Sequence, residues 1–201
     1  MGKRIFTVLT MASALAACSA QDRPSDETQP GASQAIADHQ PTFITGDEVQ
    51  AVLASNPIGD NPIKSADLGE YNVGVSVLRR TALKAGGPIN AIAHMNVTEV
   101  YYIVSGEGTL VTGGKDNMTD LEAVPADSEL VTSIVGPSNT GIMVEPAVSR
   151  RVKANDMVII PPGVYHSFSE IPDHVEYVTV RPDFEKILPG DYVNPALATA
   201  K

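Results

Sequence analysis

From about residue 71 onward, apolar residues alternate with smaller or polar residues, a period of two that is typical of half-buried β-strands. Runs of this kind fall at about residues 71–77, 99–104, 157–160 and 175–181. Turn sequences rich in Gly and Pro separate them, notably at 86–88, 113–114, 136–139 and 161–163. Many short strands with almost no helix predict an all-β sandwich or barrel.

One short helix is predicted ahead of these strands. Thr45 and Glu48 have the spacing of a capping box, and Val49, Val52 and Leu53 follow at helical spacing. Asn56-Pro57 is a stop signal. Residues 18–42 differ from both patterns, since they are rich in Gln, Ser, Asp and Pro and have few large apolar side chains to bury. We therefore expect a flexible tether at 18–42 and a single folded domain at 43–201.

The first residues have the layout of an export signal. Lys3 and Arg4 precede an uncharged apolar stretch, which ends in small residues. The segment Leu15-Ala16-Ala17-Cys18 resembles the lipobox of bacterial lipoproteins. This resemblance implies that residues 1–17 are a signal peptide, that Cys18 is acylated, and that the protein is held at the periplasmic face of the outer membrane. An ordinary secretory signal with an incidental Cys is the alternative.

Composition narrows the possible partners. The 201 residues include 24 acidic and 14 basic side chains, for a formal charge of -10, which disfavours binding to nucleic acid. The one Cys cannot form a disulfide within the chain. No uncharged apolar run reaches the length of about 20 residues that a membrane-spanning helix needs.

Two segments in the β region carry most of the chemical information, 86–106 and 155–170. They resemble the two motifs of the cupin superfamily, G-x5-H-x-H-x4-E-x6-G and G-x5-P-x-G-x2-H-x3-N. The matching residues are Gly86, His94, Glu99, Gly106, Pro161, Gly163 and His166, with Asn155 in the second motif's Gly position and Glu170 in its Asn position. The resemblance implies a jelly-roll barrel, the double-stranded β-helix of cupins, and a frequent dimeric state.

The same resemblance implies a metal site made by His94, Glu99 and His166. Ile92 stands where the family has its first metal-binding His, so the four-residue site of the family does not carry over. Two imidazoles and one carboxylate leave coordination positions open, and such a set suits one divalent Fe, Mn, Zn or Ni ion. The alternative is a barrel without metal, in which these side chains only bond to one another.

Strand geometry adds two expectations. His94 and Glu99 are five residues apart and cannot share a face of one straight strand, so a turn must separate them at 95–98. Tyr101 then shares a face with Glu99 and is a candidate general acid, although most strand tyrosines only pack.

The remaining histidines are expected away from the site, His174 in a surface turn and His39 in the tether. Of the adjacent pairs Arg79-Arg80 and Arg150-Arg151, one member of each could reach the interior and hold an anion, although a solvated face is the commoner arrangement.

Two classes of function follow. One is a metal-dependent enzyme that acts on a small molecule as an oxygenase, isomerase or lyase. The other is a binding or sensing module that takes up a small ligand without changing it. The 48 residues between Gly106 and Asn155 exceed what a compact cupin needs and suggest an extra hairpin or a lid, which would include 130–135 and 141–144.

Overall fold

The structure is a computed structural model in which residues 40–198 are described. The predicted signal peptide, Cys18, His39 and nearly all of the tether lie outside the described residues, so the domain limits drawn at 17, 42 and 201 stay predictions. Within the described part, helix α1 spans Gly46–Ser55. The predicted capping box is confirmed: Thr45 Oγ1 accepts from the Glu48 backbone N–H, and Glu48 accepts from the Thr45 backbone N–H.

Strands make up most of the described chain, and the all-β prediction is confirmed. Their bounds are β1 Gly59–Asp67, β2 Asn72–Leu83, β3 Ile89–His94, β4 Glu99–Gly113, β5 Met118–Ala123, β6 Ser138–Met143, β7 Val148–Lys153, β8 Met157–Ile160 and β9 Tyr165–Asp183. Short 3-10 helices occur at Lys115–Asn117 and Pro195–Ala198. No helix within residues 40–198 is long and apolar enough to cross a membrane.

Two long strands organise the sheet. The strand order is β1-β2-β9-β3-β6-β5, and β4 pairs with β7, β8 and β9; all of these pairings are antiparallel. The 19-residue β9 pairs with β4 along one edge and with β3 and then β2 along the other. Register shifts interrupt the β4–β9 pairing, and irregularities of this kind bend a sheet.

The curved sheet encloses an apolar interior. Alternate residues of β2, β4 and β9 pack there, including Leu78, Tyr101, Ile103, Phe168 and Tyr177. A separate cluster joins α1 to the outer face of the sheet, where Val52 and Leu53 pack on Ile63 and Val77. The helix therefore covers the sheet from outside and leaves the interior to the strands.

The insertion between the two motifs does contain a pair of antiparallel strands, β5 and β6, and residues 141–143 lie in β6; residues 130–135 instead form a π-helix, Leu130–Val135. The alternative of a lid stays a prediction. One local prediction is wrong. Residues 171–174 lie within β9 instead of forming a surface turn. The ladder tolerates Pro172 because the β2 pairing shifts register between Thr81 and Leu83, opposite His174 and Ile171.

Candidate metal centre

The three predicted ligands come from three strand ends that meet at one place. His94 is the last residue of β3, Glu99 the first of β4, and His166 the second of β9. The loop at 95–98 provides the predicted turn between His94 and Glu99. The turn at 161–163 directs the chain into β9, and Gly163, with φ of 77°, donates its backbone N–H to the His94 carbonyl at 2.8 Å. This bond ties the two motif segments together.

The side chains converge on one oxygen atom of Glu99. His94 Nε2 lies 3.4 Å and His166 Nε2 lies 3.1 Å from Glu99 Oε2. The three potential ligand atoms lie within 4.8 Å of one another, and the three residues are 1–5% exposed. The sequence prediction that these residues form one cluster agrees with this geometry, and the cluster could hold a metal ion.

Hydrogen bonds on the far side of each imidazole fix its tautomer. His166 Nδ1 lies 3.0 Å from the Val164 carbonyl, which can only accept, so Nδ1 carries a proton. His94 Nδ1 lies 2.8 Å from Ser138 Oγ, whose own proton goes to the Gly136 carbonyl at 2.9 Å, so Nδ1 donates here as well. In the neutral rings each Nε2 therefore presents its lone pair to the centre of the cluster.

The cluster combines these lone pairs with a negative charge. Burial opposes the ionisation of Glu99, but the Arg181 guanidinium, followed by the two imidazoles, holds the pKa of Glu99 well below its usual range. Burial lowers the pKa of His94, which favours its neutral form. Two imidazole lone pairs and a carboxylate oxygen thus face one another, and none of these three atoms carries a proton. A cation at their centre would satisfy all three, so the donor set fits a divalent metal ion.

A buried guanidinium supports the carboxylate from behind. Arg181 Nε donates to Glu99 Oε1 at 2.7 Å, and its two terminal nitrogens bond to Asp60 and Ser76. Arg181 is 1% exposed. Because Oε1 is occupied, Glu99 offers only Oε2 to a metal ion. Our sequence analysis missed this residue, although its signal was present: Arg181 shares a face with the apolar positions 175 and 177 on a buried strand.

Tyr101 lies directly beside the cluster. Its hydroxyl donates to Glu99 Oε2 at 3.1 Å, and its ring lies edge-on to His166. Burial, together with the nearby Glu99 charge, raises the pKa of Tyr101 well above its usual range. The phenol therefore remains a hydrogen-bond donor at neutral pH. The other two histidines do not join the cluster: His174 bonds to Asp173 and Ser105, and His39 lies outside the described residues.

A cavity of about 840 Å³ opens onto the cluster. His94, His166, Tyr101 and Ile92 form part of its wall, so the isoleucine in place of the family's first His faces the same space as the two imidazoles. Five apolar residues of the interior cluster also line the cavity: Leu78, Leu110, Phe168, Ile171 and Tyr177. A volume of this size accommodates a small organic molecule.

Comparison with known families agrees with this architecture. The cupin family model matches residues 61–186, which include most of the strands and all three cluster residues. This protein is a cupin. The double-stranded β-helix predicted from the two motifs is thereby confirmed, as is the short N-terminal helix.

Solved structures with a similar fold include several cupin-type proteins, all of low sequence identity. A Bacillus halodurans protein is 14% identical, with a TM-score of 0.43, over 82% of this chain and 98% of its own. A Klebsiella pneumoniae protein with a double-stranded β-helix domain is 18% identical, with a TM-score of 0.39, over 73% of this chain and 93% of its own. The DMSP lyase DddQ of Ruegeria pomeroyi is 15% identical, with a TM-score of 0.34, over 57% of this chain and only 40% of its own. No curated protein matches this cupin significantly.

Proposed function

We propose that this cupin is a mononuclear metal enzyme that acts on a small organic molecule bound in the 840 Å³ cavity. The observation that carries the proposal is the convergence of two fixed imidazole lone pairs on one carboxylate oxygen, with both imidazoles at the wall of that cavity. The reaction classes that this site would support are those of an oxygenase, an isomerase or a lyase. A metal ion bound there supplies Lewis acidity, which polarises a substrate oxygen or activates water or oxygen.

The residues of this chain have separate parts in that proposal. His94, His166 and Glu99 Oε2 hold the ion, while Ser138 and the Val164 carbonyl keep both imidazoles in the tautomer that can bind it. Arg181 fixes Glu99 Oε1, and Tyr101 donates to Oε2, so the carboxylate cannot rotate. Ile92 supplies no ligand atom, which leaves that side of the ion open to substrate. Tyr101 is the candidate to donate a hydrogen bond to the reacting group.

The test starts with the metal content of the full-length protein, purified without chelator. Wild-type protein should contain a stoichiometric transition metal, and His94→Ala, Glu99→Ala and His166→Ala should each emerge metal-poor, because each removes one of three ligands. His174→Ala is the matched control and should keep the metal, since His174 lies outside the cluster. Wild-type protein without Fe, Mn, Ni or Zn, and with a Tm that these ions do not change, would contradict the proposal.

A non-catalytic binding module is the second candidate. The apolar residues of the lining favour it, because a catalytic cavity should hold a general acid or base beside the metal, and burial raises the pKa of the candidate Tyr101, which makes it a weaker acid. Mass spectrometry distinguishes the two candidates. A metal-loaded protein that returns every bound small molecule unchanged, with and without oxygen, supports the module.

The place of action is proposed from the first 18 residues alone. We propose that the mature protein begins at an acylated Cys18 and is anchored to the outer membrane. Cys18→Ala should then release the protein into the soluble fraction, because the acyl chains contribute the membrane affinity. A Cys18→Ala protein that still sediments with membranes at high salt would contradict lipid anchoring. The homodimer expected from the family likewise stays a prediction.

A further inference from the structure

One charged side chain in the cavity has no carboxylate partner. Arg80 lines the cavity on β2, on the face shared by the buried Ser76 and Leu78, but at the exposed end of the strand. Its Nε donates to the Tyr177 hydroxyl at 3.4 Å. No carboxylate within residues 40–198 lies within ion-pair distance of Arg80, in contrast to Arg79, which pairs with Glu176 on the opposite face. The two terminal nitrogens of Arg80 are thus available to a ligand.

Arg80 is placed on the same aromatic wall as the metal cluster. Its partner Tyr177 packs on Tyr101 with ring centroids 4.5 Å apart, and the Tyr101 hydroxyl contacts Glu99. Between the guanidinium and the cluster the wall therefore consists of two aromatic rings. A ligand that spans from Arg80 to the cluster would lie along this wall, with an apolar body against the rings.

The other charged side chains of the cavity do not prevent Arg80 from binding an anionic ligand. Asp60 forms its ion pair with Arg181 and none with Arg80. Asp120 and Glu122 also line the cavity and, like Arg80, are exposed, so solvent screens the charges of all three. A guanidinium with free terminal nitrogens matches the two oxygens of a carboxylate, to which it can donate two parallel hydrogen bonds.

We propose that the ligand of this cupin is a small carboxylic acid, held by its carboxylate on Arg80 with its other end directed at the His94–Glu99–His166 cluster. This inference names the substrate class of the proposed enzyme and rests on that proposed function. It assigns Arg80 as the residue that selects anionic ligands. The proposed roles of His94, Glu99 and His166 as metal ligands and of Tyr101 as hydrogen-bond donor are unchanged.

The test compares an acid with its neutral isostere. Binding of hexanoate and of hexanamide to full-length, metal-loaded protein is measured by isothermal titration calorimetry. Wild-type protein should bind hexanoate more tightly, and Arg80→Gln should weaken hexanoate about 10- to 100-fold while leaving hexanamide nearly unchanged, as expected for the loss of charge-assisted hydrogen bonds. Arg80→Lys should restore part of the preference. Arg150→Gln, which makes the same charge change on exposed β7, should have no effect.

Two kinds of result overturn the inference. Equal affinity of wild-type protein for acid and amide, or saturable binding of neither, would show that the cavity does not select carboxylates. A preference for the acid that survives in Arg80→Gln would place the carboxylate on the metal instead. Metal content is measured on every sample, so that a failure of metal binding is recognised separately. Wild-type protein that lacks metal but keeps an Arg80-dependent preference would refute the proposed enzyme and retain the carboxylate site.

Discussion

Replacing Arg181 by Met should destabilise the metal-free protein more than the loss of any exposed ion pair. The guanidinium is 1% exposed and is bonded to both Glu99 and Asp60, so its removal leaves two carboxylates with no cationic partner. Breaking a buried pair by deleting one partner costs about 3–5 kcal/mol, because the remaining charge stays desolvated. Methionine nearly matches the length of the arginine stem, which limits the effect of a cavity.

The expected loss of unfolding free energy can be converted into a decrease in Tm. In a domain of roughly 150–250 residues, 1 kcal/mol corresponds to about 2–4 °C, so Arg181→Met should lower Tm by about 6–20 °C in the presence of chelator. Differential scanning calorimetry of the full-length protein measures this shift. Addition of a divalent metal should recover part of it, since the ion compensates the charge of Glu99.

A matched control distinguishes the effect of burial on Tm from the effect of the number of ion pairs. Arg151 also bridges two carboxylates, Glu107 and Glu170, but all three side chains are 41–48% exposed. Arg151→Met should therefore change Tm little, because solvent screens exposed pairs. Equal shifts for the two variants, or an Arg181→Met protein within 2 °C of wild type, would refute the idea that a buried charge network supports Glu99.

Two further variants test the shell around the proposed ion. Ser138→Ala should weaken metal affinity about 10- to 100-fold, because His94 loses the acceptor that keeps its proton on Nδ1. Competition with a chelator measures the affinity, and Ser105→Ala is the control. An unchanged affinity in Ser138→Ala would show that Ser138 does not orient the His94 ligand. Ile92→His adds an imidazole beside His166, with which Ile92 pairs across β3 and β9, and should tighten metal binding while lowering any activity that needs the open position. A variant that loses stability without gaining metal affinity would instead indicate a buried imidazole without a partner.

The sequence alone determined the local structure and the identity of the cluster. Alternation of apolar residues predicted β2, β4, β8 and β9, and Thr45 with Glu48 predicted the start of α1, because these signals depend only on neighbouring residues. Asn155 could replace a turn glycine because asparagine tolerates a positive φ, and its φ is 74°. The motif spacing selected His94, Glu99 and His166, three residues that the fold brings together.

Tertiary structure decided the features that depend on distant residues. Arg181 meets Asp60 across 121 positions and Glu99 across 82, and no local pattern links residues so far apart. The tautomer of His94 depends on Ser138, 44 residues away, in a segment that the motifs do not cover. His174 illustrates the converse: the Pro-Asp sequence before it indicated a turn, but pairing with β2 at Ile171 and His174, and with β4 at the flanking residues 170 and 175, keeps the chain extended there. Arg80 could be identified as one of an adjacent pair, but only the sheet shows that it faces the cavity, because strand pairing decides which side of β2 is the inside.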